Sequence, residues 1–324
     1  MTIKEIFEPI EDEIEVFKKK FKERLTSNIK IVDTIARYVV SSRGKNLRPM
    51  LVLMCSKMCG GKLDEKSYRA AITIELVHTA TLVHDDVVDG SDMRRGLPSI
   101  NAIWKNKMAV LMGDYLLANA LISIVDIKSF DAMMLLSEAT KRASQGELLQ
   151  IDKSRKLDID ETTYLQIIND KTGALISAAC ELGAITTTDA GADREALRKF
   201  GDDIGIAFQI KDDLFDFEGE QSIIGKTKGR DLKEQKITMP LIYALKQAKP
   251  EESKRILKKI KKSVSRSDVN DILSFTQHYG GLDYAKKRLQ EYSDQAVASL
   301  NHFNDSPAKE GLKKFIQYNM ERTK

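Results

Sequence analysis

The sequence predicts an all-α fold, read as one helical domain over residues 1–324. Three observations predict it. Only six prolines interrupt 324 residues, and proline is the residue a helix interior tolerates least. Apolar residues recur at helical spacings of three and four through most of the chain. The breaks between these segments, "CGGKLDE", "DKSRKLDIDE" and "TDAGAD", are short and turn-like. None is long or biased enough for a domain linker, and no repeat of fixed period is present.

In chain order, "IEDEIEVFKKKFKERL" places Ile10, Ile14, Phe17 and Phe21 on one helix face. "YRAAITIELVHTATLVHDDVVD" is apolar round most of its circumference until its acids, as a central helix is. "MAVLMGDYLLANALISIV" and "REALRKFGDDIGIAFQIKDDLFDF" have the same character. "KRILKKIKKSVSR", from Lys254 to Arg266, sets the narrow apolar stripe of Ile256, Leu257 and Ile260 against many cations. It reads as a solvated helix face, with contact to anionic lipid as the alternative.

The formal net charge is +4, with 31% charged residues and no basic tract interleaved with aromatics. That pattern does not suggest nucleic acid as a partner, and none is expected. Three cysteines, Cys55, Cys59 and Cys180, form no C-x-x-C and leave an odd count. They read as apolar thiols in a reducing compartment rather than a disulfide framework or zinc site. The charged start "MTIKEIFEPIEDE" is unlike a signal peptide, and no unbroken apolar run reaches the length of a membrane span. The expectation is a soluble, cytoplasmic protein.

The chemistry lies in two acid clusters. Asp85, Asp86 and Asp89 close one apolar run, and Asp212, Asp213 and Asp216 close another with the same spacing. Residues four apart share a helix face, so each cluster sets like charges a turn from one another. A cation removes that repulsion. Magnesium fits, because it takes one or two carboxylates and completes its shell with waters and phosphate oxygens. One such cluster alone is a helix end as readily as a metal site. Two at the ends of hydrophobic helices suit several metal ions round one diphosphate. Lys45, Arg48, Arg94, Arg95, Lys171, Thr172, Lys226 and Lys236 supply the complementary donors. Singly each cation reads as a surface charge, and His78 reads as a core histidine on an apolar face.

The ordered set "GKNLRP", "HTATLVHDDVVDGSDMRRG", "GDYLLA", "GELLQ", "KTGAL", "FQIKDDLFDF" and "GKTKGRDLKEQKITMPLI" runs from about Arg43 to Pro240. With it the chain resembles the trans-type isoprenyl diphosphate synthases of the polyprenyl synthetase family. The resemblance implies a helical bundle of the isoprenoid synthase type with a central active-site cavity. It implies a prenyltransferase that condenses isopentenyl diphosphate with an allylic diphosphate, using three magnesium ions per active site. Asp85, Asp89 and Asp212 would bind metal directly, and Asp86, Asp213 and Asp216 mostly through water. Arg94, Lys171, Thr172, Gln209 and Lys226 match the allylic diphosphate site, with Lys236 as a helper. Lys45, Arg48, His78 and Arg95 match the isopentenyl diphosphate site. Two departures stand out: Arg43 and Asn46 replace Gly and Arg of the usual Gly-Gly-Lys-Arg-Leu-Arg-Pro, and Gln235 replaces the Gly of Glu-Gly-Lys.

The same resemblance implies a homodimer and a hydrocarbon tunnel running back from Asp85 past Thr81, Ala80 and Val77, with transient membrane contact for product release. A bulky aromatic at the Ala80 position would stop growth early. Small residues there point to a long product, heptaprenyl to nonaprenyl, unless Leu116, Leu117 or Ala120 closes the tunnel sooner and gives geranylgeranyl or farnesyl diphosphate. A class I terpene cyclase would carry a different second metal motif, and a non-catalytic subunit of a heteromeric synthase would lack intact acid clusters.

Overall fold

A computed structural model describes residues 1–41, 44–60, 62–218, 229–262 and 264–322. The chain opens with α1 (Ile3–Phe7), a short 3₁₀ turn, α2 (Glu11–Leu25), α3 (Lys30–Ser41), α4 (Leu47–Gly60) and α5 (Glu65–Val88). A two-stranded hairpin, β1 (Met93–Arg94) and β2 (Leu97–Pro98), leads to α6 (Ile100–Val125), α7 (Phe130–Lys156) and α8 (Glu161–Ile168). A π-helical turn over Asn169–Gly173 precedes α9 (Ala174–Ile185) and α10 (Gly191–Glu218). Then come α11 (Arg230–Lys233), α12 (Met239–Gln247), α13 (Pro250–Lys261), α14 (Arg266–His278), α15 (Gly281–Leu300) and α16 (Pro307–Glu321). The fold is all-α, as the proline scarcity and periodicity predict.

The chain groups into two compact units. The first comprises Met1–Thr140, Leu175–Arg198 and Leu300–Phe315. Its core gathers Phe7, Phe17, Phe21, Leu51, Leu53 and Ile74, all essentially inaccessible. Asp64 starts α5 by accepting from the Lys66 and Ser67 amides, which satisfies donors a helix start leaves open. Helix α5 packs against α4 and α6. The α5–α6 crossing is close because Gly113 has no side chain. A Cβ there would lie 2.1 Å from the His84 ring. Cys55 and Cys180 are buried and Cys59 partly so, all three as free thiols. Burial pushes the Cys59 thiol up to about 12.

Among the described residues helix α6 stands apart. It is long and apolar enough, by length and composition, to cross a membrane. A demand for an unbroken apolar run misses it, because Asp114 is a single charge inside residues 108–125. The helix also leaves helical geometry at Lys105, where φ is 71°. It leaves Val110, Leu111, Leu121, Ile122 and Val125 exposed. At 100° per residue these five fall within an arc of about 120°.

The second unit comprises Lys141–Ala174, Lys199–Ser299 and Ile316–Lys324. There α12 packs against α8 and α14. Ser265 and Asp268 form a reciprocal capping box at the start of α14. The amphipathic pattern of α13 holds: Ile256 and Ile260 are buried and Leu257 is half-buried.

Candidate active site

In the first unit, the acids lie where α5 gives out. Asp85 and Asp86 are its last-turn residues, and Asp89 is the C-cap, donating its amide to the Asp85 carbonyl at 2.8 Å. Asp86 is buried and accepts from the Arg94 Nε at 2.7 Å. Burial raises its carboxyl, against the lowering by Arg94. Arg94 pairs with Leu97 across the hairpin. Arg95 and Gly96 form its turn with φ of 52° and 79°, two positive values as in the turns that suit a tight antiparallel pair. Arg94 is thus a strand residue and Arg95 a left-handed turn residue.

Arg95 has two helpers that carry no motif of their own. Glu75, buried on α5, supports its charge, while burial and Arg94 lower it. Gly44 leaves it room: a Cβ there would sit 2.5 Å from the Arg95 guanidinium carbon. Arg48 Nη1 lies 3.0 Å from His78 Nε2. A guanidinium only donates, so Nε2 accepts. Burial, then Arg48, Arg95 and Arg94, holds His78 well below the usual imidazole range, so it stays neutral at physiological pH. A cleft of about 520 Å³ is lined by Glu75, His78, Asp86, Arg94 and Arg95. Lys45, next to Gly44, is exposed.

The residues named for chain length lie deeper. Val77, Ala80, Leu116 and Ala120 are buried, and Leu117 is half-buried. Thr81 spends its hydroxyl on the His78 carbonyl at 2.9 Å. The 520 Å³ cleft takes Thr79, Leu82 and Val83 from α5, and neither Ala80 nor Thr81.

In the second unit, the last turns of α10 carry Asp212, Asp213 and Asp216. Asp213 is buried and accepts from the Tyr164 hydroxyl at 2.6 Å and the Gln209 amide at 2.8 Å. Thr172 donates to the other end of Gln209 at 2.9 Å, so Thr172 and Tyr164 together fix this carboxyl. Burial and the charge of Asp231 push Asp213 up to about 8, and Asp231 itself is pushed up to about 6, chiefly by burial. Asp216 accepts from the Arg230 and Asp231 amides at 2.9 and 3.2 Å, capping α11. Lys171, in the π-helical turn, pairs with Glu147 and donates to Gln150 at 3.1 Å. Both partners come from the "GELLQ" segment. Lys236 pairs with Glu234 at 2.6 Å. A cleft of about 650 Å³ is lined by Tyr164, Lys171, Thr172, Gln209, Asp213 and Lys236. Gln235 takes φ of 58°, the left-handed conformation a glycine would adopt freely, and its amide reaches the Ile260 carbonyl at 3.4 Å. Lys226 and Arg43 lie outside the described residues.

Arg322, beyond α16, is the largest contributor that sequence reasoning missed. Its side chain is only 9% exposed and meets Asp212 Oδ1 at 2.6 Å. It also donates to the Phe208 carbonyl at 3.0 Å and lies over the Phe208 ring, 4.1 Å from its centre.

Among the described residues no three carboxylate, imidazole or thiol groups gather as a metal cluster. Asp86, Asp213 and Asp216, assigned to act mostly through water, have protein donors as partners. Asp212 likewise meets Arg322; Asp85 and Asp89 in one unit present two carboxylates a turn apart, and Asp212 in the other presents one. Hard oxygens in ones and twos, with no closed cage, are the set magnesium uses when waters and phosphates complete its shell, so the residues fit that ion.

Residues 29–276 match the Polyprenyl synthetase family model. The chain is 35% identical to the all-trans-nonaprenyl-diphosphate synthase (geranyl-diphosphate specific) of Rhodobacter capsulatus, over 98% of this chain and 97% of the relative. A solved decaprenyl diphosphate synthase from Rhodobacter capsulatus superposes with a TM-score of 0.92 at 34% identity, covering 100% of both chains. A polyprenyl synthase from Caulobacter crescentus, solved with calcium and isoprenyl diphosphate, gives 0.91 at 31% identity, covering 100% of this chain and 98% of that one.

Proposed function

The chain belongs to the polyprenyl synthetase family, and we propose that it condenses isopentenyl diphosphate head-to-tail with an allylic diphosphate to build a linear all-trans polyprenyl diphosphate. The observation that carries this reading is the repeated acid cluster, each copy ending an apolar helix beside a cleft lined by cations.

Asp85, Asp89 and Asp212 would hold magnesium, three ions per site, with Asp86, Asp213 and Asp216 keeping the surrounding groups in place. When bound, magnesium neutralises the charge that grows on the departing diphosphate. Arg94, Lys171, Thr172, Gln209, Lys226 and Lys236 bind the allylic diphosphate. Arg94, Lys171 and Lys236 stabilise the same growing charge with donors fixed before the reaction. Asp86 aims the Arg94 fork, and Glu147 with Gln150 aims Lys171. Lys45, Arg48, His78 and Arg95 bind isopentenyl diphosphate. A neutral His78 holds Arg48 without adding a charge that would compete for it. The allylic C–O bond breaks, the double bond of isopentenyl diphosphate attacks the cation, and the diphosphate released takes the proton. No side chain has to be the base.

The product is long, heptaprenyl to nonaprenyl. Small Ala80 supports this, as do relatives named for nonaprenyl and decaprenyl products. A second reading, a geranylgeranyl product, draws on the burial of Val77, Ala80, Leu116 and Ala120 where α5 packs on α6. The exposed apolar arc of α6 supports a homodimer, since a face of that kind is normally covered by a partner. The protein works in the cytoplasm with transient membrane contact. The test is product chromatography after incubation of purified protein with magnesium, isopentenyl diphosphate and primers of several lengths. Elongation by successive five-carbon units is expected. Turnover of an allylic diphosphate alone to a cyclic hydrocarbon would replace the assignment with a terpene cyclase, and a product of twenty carbons would favour the second reading on length.

A further inference from the structure

Helix α13 carries a charge pattern that the proposed chemistry does not use. Ile256 and Ile260 are buried, while Lys254, Arg255, Lys258, Lys261 and Lys262 are exposed. At 100° per residue these five cations fall within an arc of about 120°, facing away from the isoleucines. One carboxylate, Glu251, shares that face. None of the five forms an ion pair among the described residues. Their neighbour Lys259 does, with Asp268 and Asp271 at 3.0 and 2.5 Å. Another lysine-rich helix differs: on α2, Lys18 and Lys20 are paired with Glu15 and Glu65.

Five like charges on one face repel, and a single carboxylate on that face, Glu251, offsets only part of the repulsion. The helix is also tied to the substrate cleft of its unit. Gln235 reaches from the loop to the Ile260 carbonyl, and the next residue, Lys236, lines the cleft.

We propose that the exposed face of α13 docks on an anionic lipid bilayer. The inference rests on the long-chain reading above, because a polyprenyl tail is insoluble in water and must pass to a lipid phase. Charge complementarity selects this partner: a helix face carrying unpaired lysines matches a surface of lipid phosphates. Four of the five cations are lysines, point charges rather than forks, and no aromatic residue lies among them to stack a base, which argues against a nucleic acid. No apolar side chain projects from the same arc, so the contact is superficial and salt-sensitive.

The experiment is co-sedimentation of the full chain with vesicles of phosphatidylcholine alone or mixed with phosphatidylglycerol, at low and raised salt. In parallel, turnover of a short soluble primer is measured without vesicles. The wild type is expected to sediment only with phosphatidylglycerol vesicles and to be released by salt. Each basic residue at such a surface contributes about fivefold, so Lys254→Gln/Lys258→Gln/Lys261→Gln should lose about 100-fold in partition. The corresponding triple Lys→Arg variant should retain it, and all three proteins should turn over the soluble primer equally. Absence of wild-type binding, equal binding to pure phosphatidylcholine, or undiminished binding by the Gln variant overturns the inference. So does tighter wild-type binding to single-stranded RNA than to the vesicles. Absence of primer turnover in the wild type would instead strike the prenyl-transfer reading.

Discussion

Tyr164→Phe tests the second acid cluster without touching a proposed metal ligand. The variant keeps the ring and deletes the hydroxyl that donates to the buried Asp213 at 2.6 Å. Asp213 is pushed from 3.8 up to about 8. In metal-free protein it is therefore protonated at about pH 6 and ionised at about pH 9.5. A hydrogen bond to the neutral carboxyl contributes about 0.5–1.5 kcal/mol, and one to the carboxylate about 1.5–3. Tyr164 itself is held well above its usual range by burial and Asp213, so it remains a donor at both pH values. Because the folded pKa of Asp213 exceeds the unfolded one, its contribution is complete below about pH 4 and is lost as pH rises through about 8. Without the hydroxyl the folded pKa moves higher still, and the loss continues over a wider range at about 1.36 kcal/mol per unit. Urea unfolding of both proteins with chelator should give a destabilisation near 1 kcal/mol at the lower pH, rising to about 2–3 at the higher. A difference that stays constant or shrinks with pH would refute the reasoning about Asp213.

Asp85→Asn and Asp212→Asn should each cut turnover by more than ~100-fold, beyond the roughly 10–100-fold that loss of a ligand's supporting partner costs. Circular dichroism should be unchanged, and near-normal activity would remove them from the metal set. Arg94→Ala should mainly raise the KM for the allylic substrate and Arg95→Ala that for isopentenyl diphosphate; a shared effect on one KM would refute the division. Gly44→Ala should displace the Arg95 guanidinium, mimicking Arg95→Ala in KM while the urea midpoint moves little, since only a flexible side-chain end has to shift. Ala80→Tyr should shorten the product within the first additions, a helical turn spanning about 5.4 Å; chromatography showing an unchanged length would reject the open tunnel.

The acid ends of α5 and α10 were legible because carboxylates closing an apolar run contradict burial unless something compensates them. The helix content was legible from periodicity alone. What stayed hidden was tertiary. Tyr164 meets Asp213 from 49 positions away, and Arg322 reaches Asp212 from the far end of the chain. No local pattern encodes either contact. Burial within each acid triple was equally illegible, since spacing treats the three aspartates alike while the fold buries Asp86 and Asp213. Gln235 was visible only as a departure, and the structure supplies its meaning: a side chain kept where the backbone takes a glycine's conformation. The hairpin had a readable sign, a glycine two residues before proline, but arginine is an unusual choice for the first turn position.

That choice has a consequence for any laboratory evolution of this protein. A non-glycine residue at φ of 52° holds about 1–2 kcal/mol of backbone strain, and glycine or asparagine would relieve it. A library sorted only for heat resistance would therefore drift away from arginine at position 95, enriching robust proteins that grip one substrate poorly. Sorting must score turnover alongside survival, because at this turn thermal fitness and catalytic fitness pull the same codon in opposite directions.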